Sequence, residues 1–474
     1  MARENVRIAI AATLSALLAA TPGRAQTVAG PSGAGVDYVP GSTQEVCQLT
    51  GAVSKTTAQQ FGLISADRGY SFIHEGKLWF LFGDAQPTKF FPQRGPHDAA
   101  TDNTHNRWGP GSSTENLDND AIAFAPPGPA GVCPTLQFIA QTRPAAGAYT
   151  SPSLAYNGTP VPLQTNESPI AGFDYNGRAY VIFGTNNPED TNTPQTCGET
   201  RDLFCLGSPL STIVGRLDDR SSLSFTGLYT LSGPPLGQTA SAGRFVEVAL
   251  AAGADGYLYF FGTTGGRQQA GPRPCGAADE CYRHSYVRLA RMLPRDIENT
   301  SNGRPAAIEY WVKTGAGAGA GAWKNADESA SSPLFEDAPP CMGELGVEYN
   351  AYLHRWVMLY NCLSANPRGI VMRTASYPWG PWSAPQTIFN PIRDKGLCYF
   401  IHSHGGENCP PDAPNPPSEN PAAATGGDYG PYFIAGWTTG STGAGSVQTS
   451  TIYYTVSSFV PYGQVILKST ITAR

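Results

Sequence analysis

Acidic side chains recur at the ends of predicted strands in this chain, although charged residues make up only 14% of it. Asp67 lies in the run SADRGYSF, and Asp84 follows the aromatic run LWFLFG. Five further acids precede other predicted strands: Asp118, Asp120, Glu167, Glu247 and Glu344. Two carboxyl groups in one cavity, one protonated and one ionised, can cleave a glycosidic bond. The pattern therefore predicts a shared cavity in which neighbouring charges raise the pKa of one carboxyl group.

The strands that position these acids belong to a unit that recurs five times, at intervals of roughly 80–100 residues. Each unit has an alternating strand, a turn such as HEGK, YNGR or ADGY, and a second, more apolar strand. A repeated β-unit with turn residues at a fixed offset is typical of radial β folds. We therefore predict an all-β, five-bladed β-propeller whose first strands line a central funnel.

The N-terminus has the features of a secretory signal, with Arg3 and Arg7 before an apolar stretch and small residues before Ala25. We predict a signal peptide at 1–25, a flexible lead-in at 26–46 and one catalytic propeller over 47–474, secreted or periplasmic and monomeric. No later run approaches the ~20 apolar residues of a membrane span. Loss of the signal moves the net charge from −6 to about −8, which argues against nucleic acid or an anionic membrane as partner.

Ten cysteines in an exported chain predict a disulfide framework. Sequence proximity and elimination suggest five pairs: Cys197–Cys205, Cys275–Cys281, Cys398–Cys409, Cys341–Cys362 and Cys47–Cys133. A cysteine zinc site is disfavoured because the chain has no Cys-x-x-Cys spacing.

Other residues are candidates for substrate binding. Trp108, in a long polar loop, has the apolar face and polar edge that suit a sugar ring. Arg68 and His404 are further polar candidates, as are Asp120, Glu167, Glu247 and Glu344. Structural alternatives stay open: an Asp67–Arg68 ion pair, a turn capped by Asp84, and a structural calcium ion at Asp118 and Asp120. No cofactor is expected, and the common serine-hydrolase, phosphate-loop and zinc-helix motifs are missing from the sequence.

The first unit resembles the secreted endo-D-arabinofuranase family, long catalogued as a domain of unknown function. The resemblance is carried by DRG (Asp67–Gly69), FGD (Phe82–Asp84) and the pair Asn119-Asp120, within residues 60–125. That family consists of five-bladed propellers that cut the D-arabinan of mycobacterial arabinogalactan and lipoarabinomannan. The resemblance implies an endo-acting glycoside hydrolase with a polysaccharide substrate, and Asp67 and Asp84 as its catalytic pair.

Two alternatives follow from the same residues. The chain more distantly resembles five-bladed furanosidases acting on L-arabinan, xylan side chains and fructans, which would pair Asp67 with Glu167, Glu247 or Glu344. The second alternative is a non-catalytic carbohydrate-binding propeller, such as a lectin or adhesion module. Lectin propellers usually repeat one motif in every blade, whereas these units diverge and their acids concentrate in the first, which favours an enzyme.

Overall fold

The computed structural model describes most of the chain after residue 34 and consists almost entirely of β-strands. Within that part, the only helical segments are two 3-10 turns, Pro294–Asp296 and Glu328–Ala330, and no helix there could cross a membrane. The described residues are 35–50, 63–87, 120–139, 149–163, 167–186, 209–238, 242–264, 286–315, 317, 319–337, 342–362, 369–401, 428–441, 447–458 and 463–473.

Five radial sheets form the blades of a β-propeller, as the sequence predicts. Two N-terminal strands, β1 (Val36–Tyr38) and β2 (Gln44–Thr50), belong to the last blade. Blade 1 contains, from the inside outwards, β3 (Leu63–His74), β4 (Lys77–Pro87), β5 (Ala121–Ala125) and β6 (Gln137–Phe138). Blade 2 has β7 (Ser153–Tyr156) and β8 (Thr159–Val161) at its outer edge, and β9 (Pro169–Tyr175), β10 (Arg178–Thr185), β11 (Ser211–Asp219) and β12 (Ser224–Ser232) from the inside outwards.

The remaining blades follow in chain order. Blade 3 contains β13 (Glu247–Ala252), β14 (Leu258–Thr263), β15 (Arg288–Met292), the small separate hairpin β16 (Thr300–Ser301) and β17 (Arg304–Pro305), then β18 (Glu309–Lys313) and β19 (Gly321–Lys324). Blade 4 contains β20 (Met342–Asn350), β21 (Arg355–Cys362), β22 (Gly369–Ala375) and β23 (Gln386–Phe389). Blade 5 contains β24 (Asp428–Tyr429), β25 (Thr439–Ser441), β26 (Gln448–Ser458) and β27 (Gly463–Ala473).

Tight turns with left-handed residues join the inner strands to their neighbours. Glu75 and Gly76 link β3 to β4 with φ values of 47° and 68°, and Asn176 and Gly177 link β9 to β10 with 52° and 74°. Two consecutive residues with positive φ give the turn whose twist matches that of the flanking strands. The turns predicted at HEGK and YNGR are therefore confirmed, and they fix the register of both hairpins.

The two ends of the described chain meet in blade 5. Strand β27 pairs with β26 on one side, and on the other with β1 (Val36 opposite Ala473) and β2 (Gln44 opposite Lys468). The prediction of a flexible lead-in at 26–46 is wrong for its second half, because Val36 and Tyr38 are buried in the core of this blade. Pairing with β27 closes the ring of sheets without a free edge at this point.

The hydrophobic core lies between the faces of adjacent blades. Phe80 and Phe82 of blade 1 pack with Ile466 of blade 5, and Phe261 of blade 3 packs with Trp356 of blade 4. Large aromatic side chains at these positions bury much apolar surface and fix the blade spacing. The inner strands are thereby held around the axis.

Disulfides strengthen the same frame. The predicted Cys47–Cys133 bridge is present, with a Cα–Cα distance of 5.8 Å, and joins β2 to the connection between β5 and β6 of blade 1. Cys362 and Cys398 are also disulfide-bonded. Their predicted partners, and the pairs Cys197–Cys205 and Cys275–Cys281, lie outside the described residues.

Candidate active site

One carboxylate from each blade lies at or next to the beginning of its innermost strand. Blades 1 to 4 supply the predicted residues: Asp67 within β3, Glu167 two residues before β9, Glu247 as the first residue of β13 and Glu344 as the third of β20. Blade 5 supplies Asp428, the first residue of β24. Asp67, Glu167 and Asp428 are 8%, 4% and 1% exposed, so the propeller carries buried acids at the start of its inner strands.

A β-bulge in β3 sets the direction of the first of these acids. The pairing of β3 with β4 shifts on both sides of Asp67 and Arg68, and Arg68 and Gly69 have φ values of 61° and 76°. The carbonyl oxygen of Arg68 accepts hydrogen bonds from Gln464 Nε2 and Thr455 Oγ1 of blade 5. Bulges of this kind re-aim side chains and are frequent beside active sites.

Glycine opposite the bulge makes room for the two side chains. Gly83 on β4 pairs with Asp67. A Cβ atom at position 83 would lie 2.9 Å from Arg68 Cδ and 3.0 Å from Asp67 Oδ1. Asp84 follows directly on β4, so the predicted catalytic pair stands on adjacent strands of one hairpin, although the Asp84 side chain lies outside the described part. Asp120, 5% exposed, precedes β5 at the same level of the blade.

The side chain of Arg68 crosses the funnel from blade 1 to blade 3. Its Nη1 and Nη2 donate to the two carboxylate oxygens of Glu247 at 3.0 and 3.2 Å, with side-chain exposures of 11% and 16%. Burial opposes the charge of Arg68, but the carboxylate of Glu247 raises its pKa well above the ordinary value. The hydroxyl of Tyr70 also joins blade 1 to blade 3, because it donates a hydrogen bond to the carbonyl oxygen of Leu250 at 3.1 Å. We call these two contacts, which join blade 1 to blade 3, the floor of the funnel. Arg68 makes its bidentate ion pair with Glu247, and the charge of Asp67 also raises the pKa of Arg68.

Glu344 supplies a carboxyl group whose pKa is raised. It is half-buried on β20, and burial, followed by the negative charge of Glu247, raises its pKa to about 7 against the opposing effect of Arg68. A glutamate with a pKa of about 7 keeps its proton to a higher pH than an ordinary glutamate. A protonated carboxyl beside other carboxylates is the arrangement that acid–base catalysis requires.

Several polar residues of this region were not predicted. Asp428, Tyr429 and Tyr432 lie in GDYGPYF, and the Tyr429 hydroxyl donates to Asp67 Oδ2 at 3.0 Å. The sequence feature that could have identified them is their place at the beginning of the fifth repeated unit. The acids of the other four units occupy the same place. Glu348, also on β20, accepts a hydrogen bond from Thr438 Oγ1 at 2.6 Å, and burial raises its pKa to about 7.

Three other predicted positions lie outside the described residues: Trp108, Asp118 and His404. Within the part that the structure describes, no group of three or more His, Cys, Asp or Glu side chains is arranged to hold a metal ion.

Comparison with known proteins adds a family match. A model of the family described as "Domain of unknown function (DUF4185)" matches residues 230–468, just over half of the chain. This match runs from the end of β12 in blade 2 into β27 in blade 5, whereas the motifs noted in the sequence lie in blade 1. A search of curated proteins finds no match.

Solved structures with similar folds include several glycoside hydrolases. A thermostable family-43 glycoside hydrolase is 11% identical, with a TM-score of 0.38 and coverage of 86% of this chain and 89% of that one. The α-L-arabinofuranosidase PaAbf62A from Podospora anserina is 8% identical, with a TM-score of 0.38 and coverage of 91% and 96%. The Bacillus subtilis arabinanase Arb43A is 8% identical, with a TM-score of 0.34 and coverage of 86% and 96%.

Proposed function

Because this chain belongs to the DUF4185 family, whose function its description leaves unknown, we propose a function from the site itself. The protein is an exported glycoside hydrolase that cleaves furanoside polysaccharide. Its leading substrate is D-arabinan, which it cuts at internal bonds of the polysaccharide. The observation that carries the proposal is the group of acids in the funnel, of which Glu344 has a pKa raised to about 7.

The chemistry needs one carboxyl group to protonate the leaving oxygen and one carboxylate to attack or to activate water. We assign Asp67 and Asp84 to these two roles, because they stand on neighbouring strands at the bulge. Tyr429 holds the Asp67 carboxylate in place through its 3.0 Å hydrogen bond. Glu344 is then the neutral carboxyl that donates a hydrogen bond to the sugar, or replaces Asp84 as the acid.

Support for the substrate comes from blade 1. Its DRG and FGD motifs resemble those of secreted endo-D-arabinofuranases, and both lie at the bulge and at the glycine facing it. The Asp67 carboxylate and the Arg68–Glu247 ion pair therefore both lie at the position where the resemblance predicts the reaction.

The decisive experiment incubates the purified mature protein with mycobacterial arabinogalactan, L-arabinan and levan, and separates the products by size. We expect a ladder of oligosaccharides from arabinogalactan alone. Asp67→Asn and Asp84→Asn should each abolish it, whereas Asp219→Asn, at the exposed end of β11, should leave it unchanged.

Each other outcome redirects the proposal. Release from L-arabinan or levan would identify another furanosidase, and single sugars alone would identify exo action. Retention of the polysaccharide without any product would identify a binding propeller. An unchanged ladder from Asp84→Asn with loss in Glu344→Gln would move the acid role from blade 1 to blade 4.

A further inference from the structure

The hydroxyl group of Tyr432 is a buried polar group in the funnel. Tyr432 is 1% exposed, and among the described residues no hydrogen-bond partner reaches its hydroxyl oxygen. Burying a hydroxyl without a partner costs free energy, and each such group in a folded protein needs an explanation, of which a ligand that supplies the missing hydrogen bond is one.

The packing around Tyr432 fixes this hydroxyl in place. The residue follows β24, and its backbone N–H contacts the carbonyl oxygen of Gly430 at 3.0 Å and Thr455 Oγ1 at 3.3 Å. Its ring packs edge-on against the ring of Tyr70, with centroids 6.0 Å apart and an interplanar angle of 67°. Since Tyr70 itself spans the funnel to Leu250, the phenol of Tyr432 lies against the floor.

Charged side chains from three blades act electrostatically on this phenol. Burial raises the pKa of Tyr432 well above its ordinary value; the positive charge of Arg68 opposes the rise, and the carboxylates of Glu344, Glu247 and Asp67 add to it. Thr455 Oγ1 donates to the carbonyl oxygens of both Arg68 and Tyr432 at 3.4 Å, so Tyr432 lies close to the acids and the arginine on which the proposed function rests.

The chemistry of this set decides what it can bind. An anion would be repelled by the carboxylates, and the guanidinium of Arg68 is already engaged by both oxygens of Glu247. A cation would meet the positive charge of Arg68. A neutral hydroxyl group can both donate and accept, and so can pair with a phenol and a carboxyl group at once.

We propose that the Tyr432 hydroxyl is a substrate contact at the floor of the funnel, which hydrogen-bonds a hydroxyl group of an uncharged sugar. This inference deepens the proposed hydrolase function and rests on it. It predicts that the funnel accepts neutral sugar units and rejects uronate units.

The chain offers a matched control in Tyr229 on β12. It is fully buried, and its hydroxyl likewise has no partner in the described part of the chain. Its neighbours are Tyr310 and Tyr180 in the core between blades. These neighbours are uncharged, unlike the acids and the arginine of the funnel. Phenylalanine at position 229 or 432 removes one unpaired hydroxyl and no described hydrogen bond.

The test compares Tyr432→Phe and Tyr229→Phe in the full chain. We expect neither substitution to lower Tm. We expect Tyr432→Phe to lower kcat/KM on D-arabinan at least ~10-fold, and Tyr229→Phe to change it less than twofold. Unchanged kcat/KM in Tyr432→Phe, or a fall in Tm that accounts for the lost activity, would overturn the assignment.

A binding measurement separates this inference from the proposed reaction. Calorimetry on Asp67→Asn protein, with and without Tyr432→Phe, uses neutral arabino-oligosaccharides and oligogalacturonate as probes. Weaker binding of the neutral probe in the double variant, with no binding of the uronate, supports the contact even if the native protein cleaves nothing. Equal binding in both variants, equal binding of both probes, or no binding of either probe would refute it.

Discussion

Replacing Glu247 by glutamine tests the ion pair that crosses the funnel. The substitution keeps the shape of the side chain and one carbonyl oxygen, but it removes the carboxylate that pairs with the guanidinium of Arg68. The two groups meet in a bidentate contact at 3.0 and 3.2 Å. Removing one partner of a buried pair is strongly destabilising because the other charge stays in the interior.

The size of the effect follows from the burial of both side chains. They are 11% and 16% exposed, so the lower end of the range for buried pairs applies, about 3 kcal/mol of unfolding free energy. The propeller unit spans Gly35–Arg474. At an unfolding entropy of about 2.1 cal/mol/K per residue, this loss lowers Tm by about 3 °C. Exposed pairs contribute only about 0–1 kcal/mol.

The assay is denaturant unfolding with calorimetry, and Glu75→Gln is the matched control. Glu75 pairs with Arg220 at 2.6 Å, but its side chain is 50% exposed. Arg68→Met with Glu247→Met should regain most of the stability, since neither charge is then left unpaired. Equal stabilities of Glu247→Gln and Glu75→Gln, or no recovery in the double variant, would refute the reasoning.

Three further changes have defined outcomes. Gly83→Ala should lower kcat/KM by about 10–100-fold, because the added methyl group displaces the Asp67 carboxylate. Replacing Cys47 and Cys133 by serine should lower the unfolding free energy by about 4–5 kcal/mol, since the bridge spans 86 residues. Burial raises the pKa of Glu348 to about 7, so the folded state binds this proton more tightly and stability falls as pH rises from about 4.5 to 7. Glu348→Gln should therefore raise Tm at pH 8 and leave it unchanged at pH 4, as scanning calorimetry can measure.

Controls make each of these outcomes decisive. Gly35→Ala adds a methyl group with no atom within 4 Å, and equal activity losses in the two alanine variants would count against steric displacement. The single change Cys47→Ser should cost as much stability as the double change. An unaltered pH dependence of Tm in Glu348→Gln would show that this carboxyl group does not titrate in the expected range.

The fold was predictable because its signals are local. The turn at Glu75 and Gly76, the turn at Asn176 and Gly177 and the alternation beside them specify hairpins within some 20 residues, and their recurrence specifies blades. Strand β1 escaped prediction because its partner, β27, lies more than 400 residues away. A three-residue strand has almost no signal of its own.

The sequence predicts which inner strands carry acids, but it does not predict the contacts that these acids make. Acids at strand beginnings can be read directly, which located Asp67, Glu247 and Glu344. The Arg68–Glu247 pair joins residues 179 positions apart, and the raised pKa of Glu344 arises from burial that only the assembled blades provide. Asp428 was missed because β24 has two residues and follows a Pro-rich stretch.

The pairing of β27 with β1 and β2 has a consequence for the order in which the molecule is made. Blade 5 supplies Asp428, Tyr429 and Tyr432 to the funnel, yet its sheet is incomplete until residues 463–473 have been synthesised. Four blades can therefore exist on a growing chain without a finished site. The proposed site is complete only when the ends of this domain meet, so chains interrupted before β27 carry the acids but lack the sheet that completes the site.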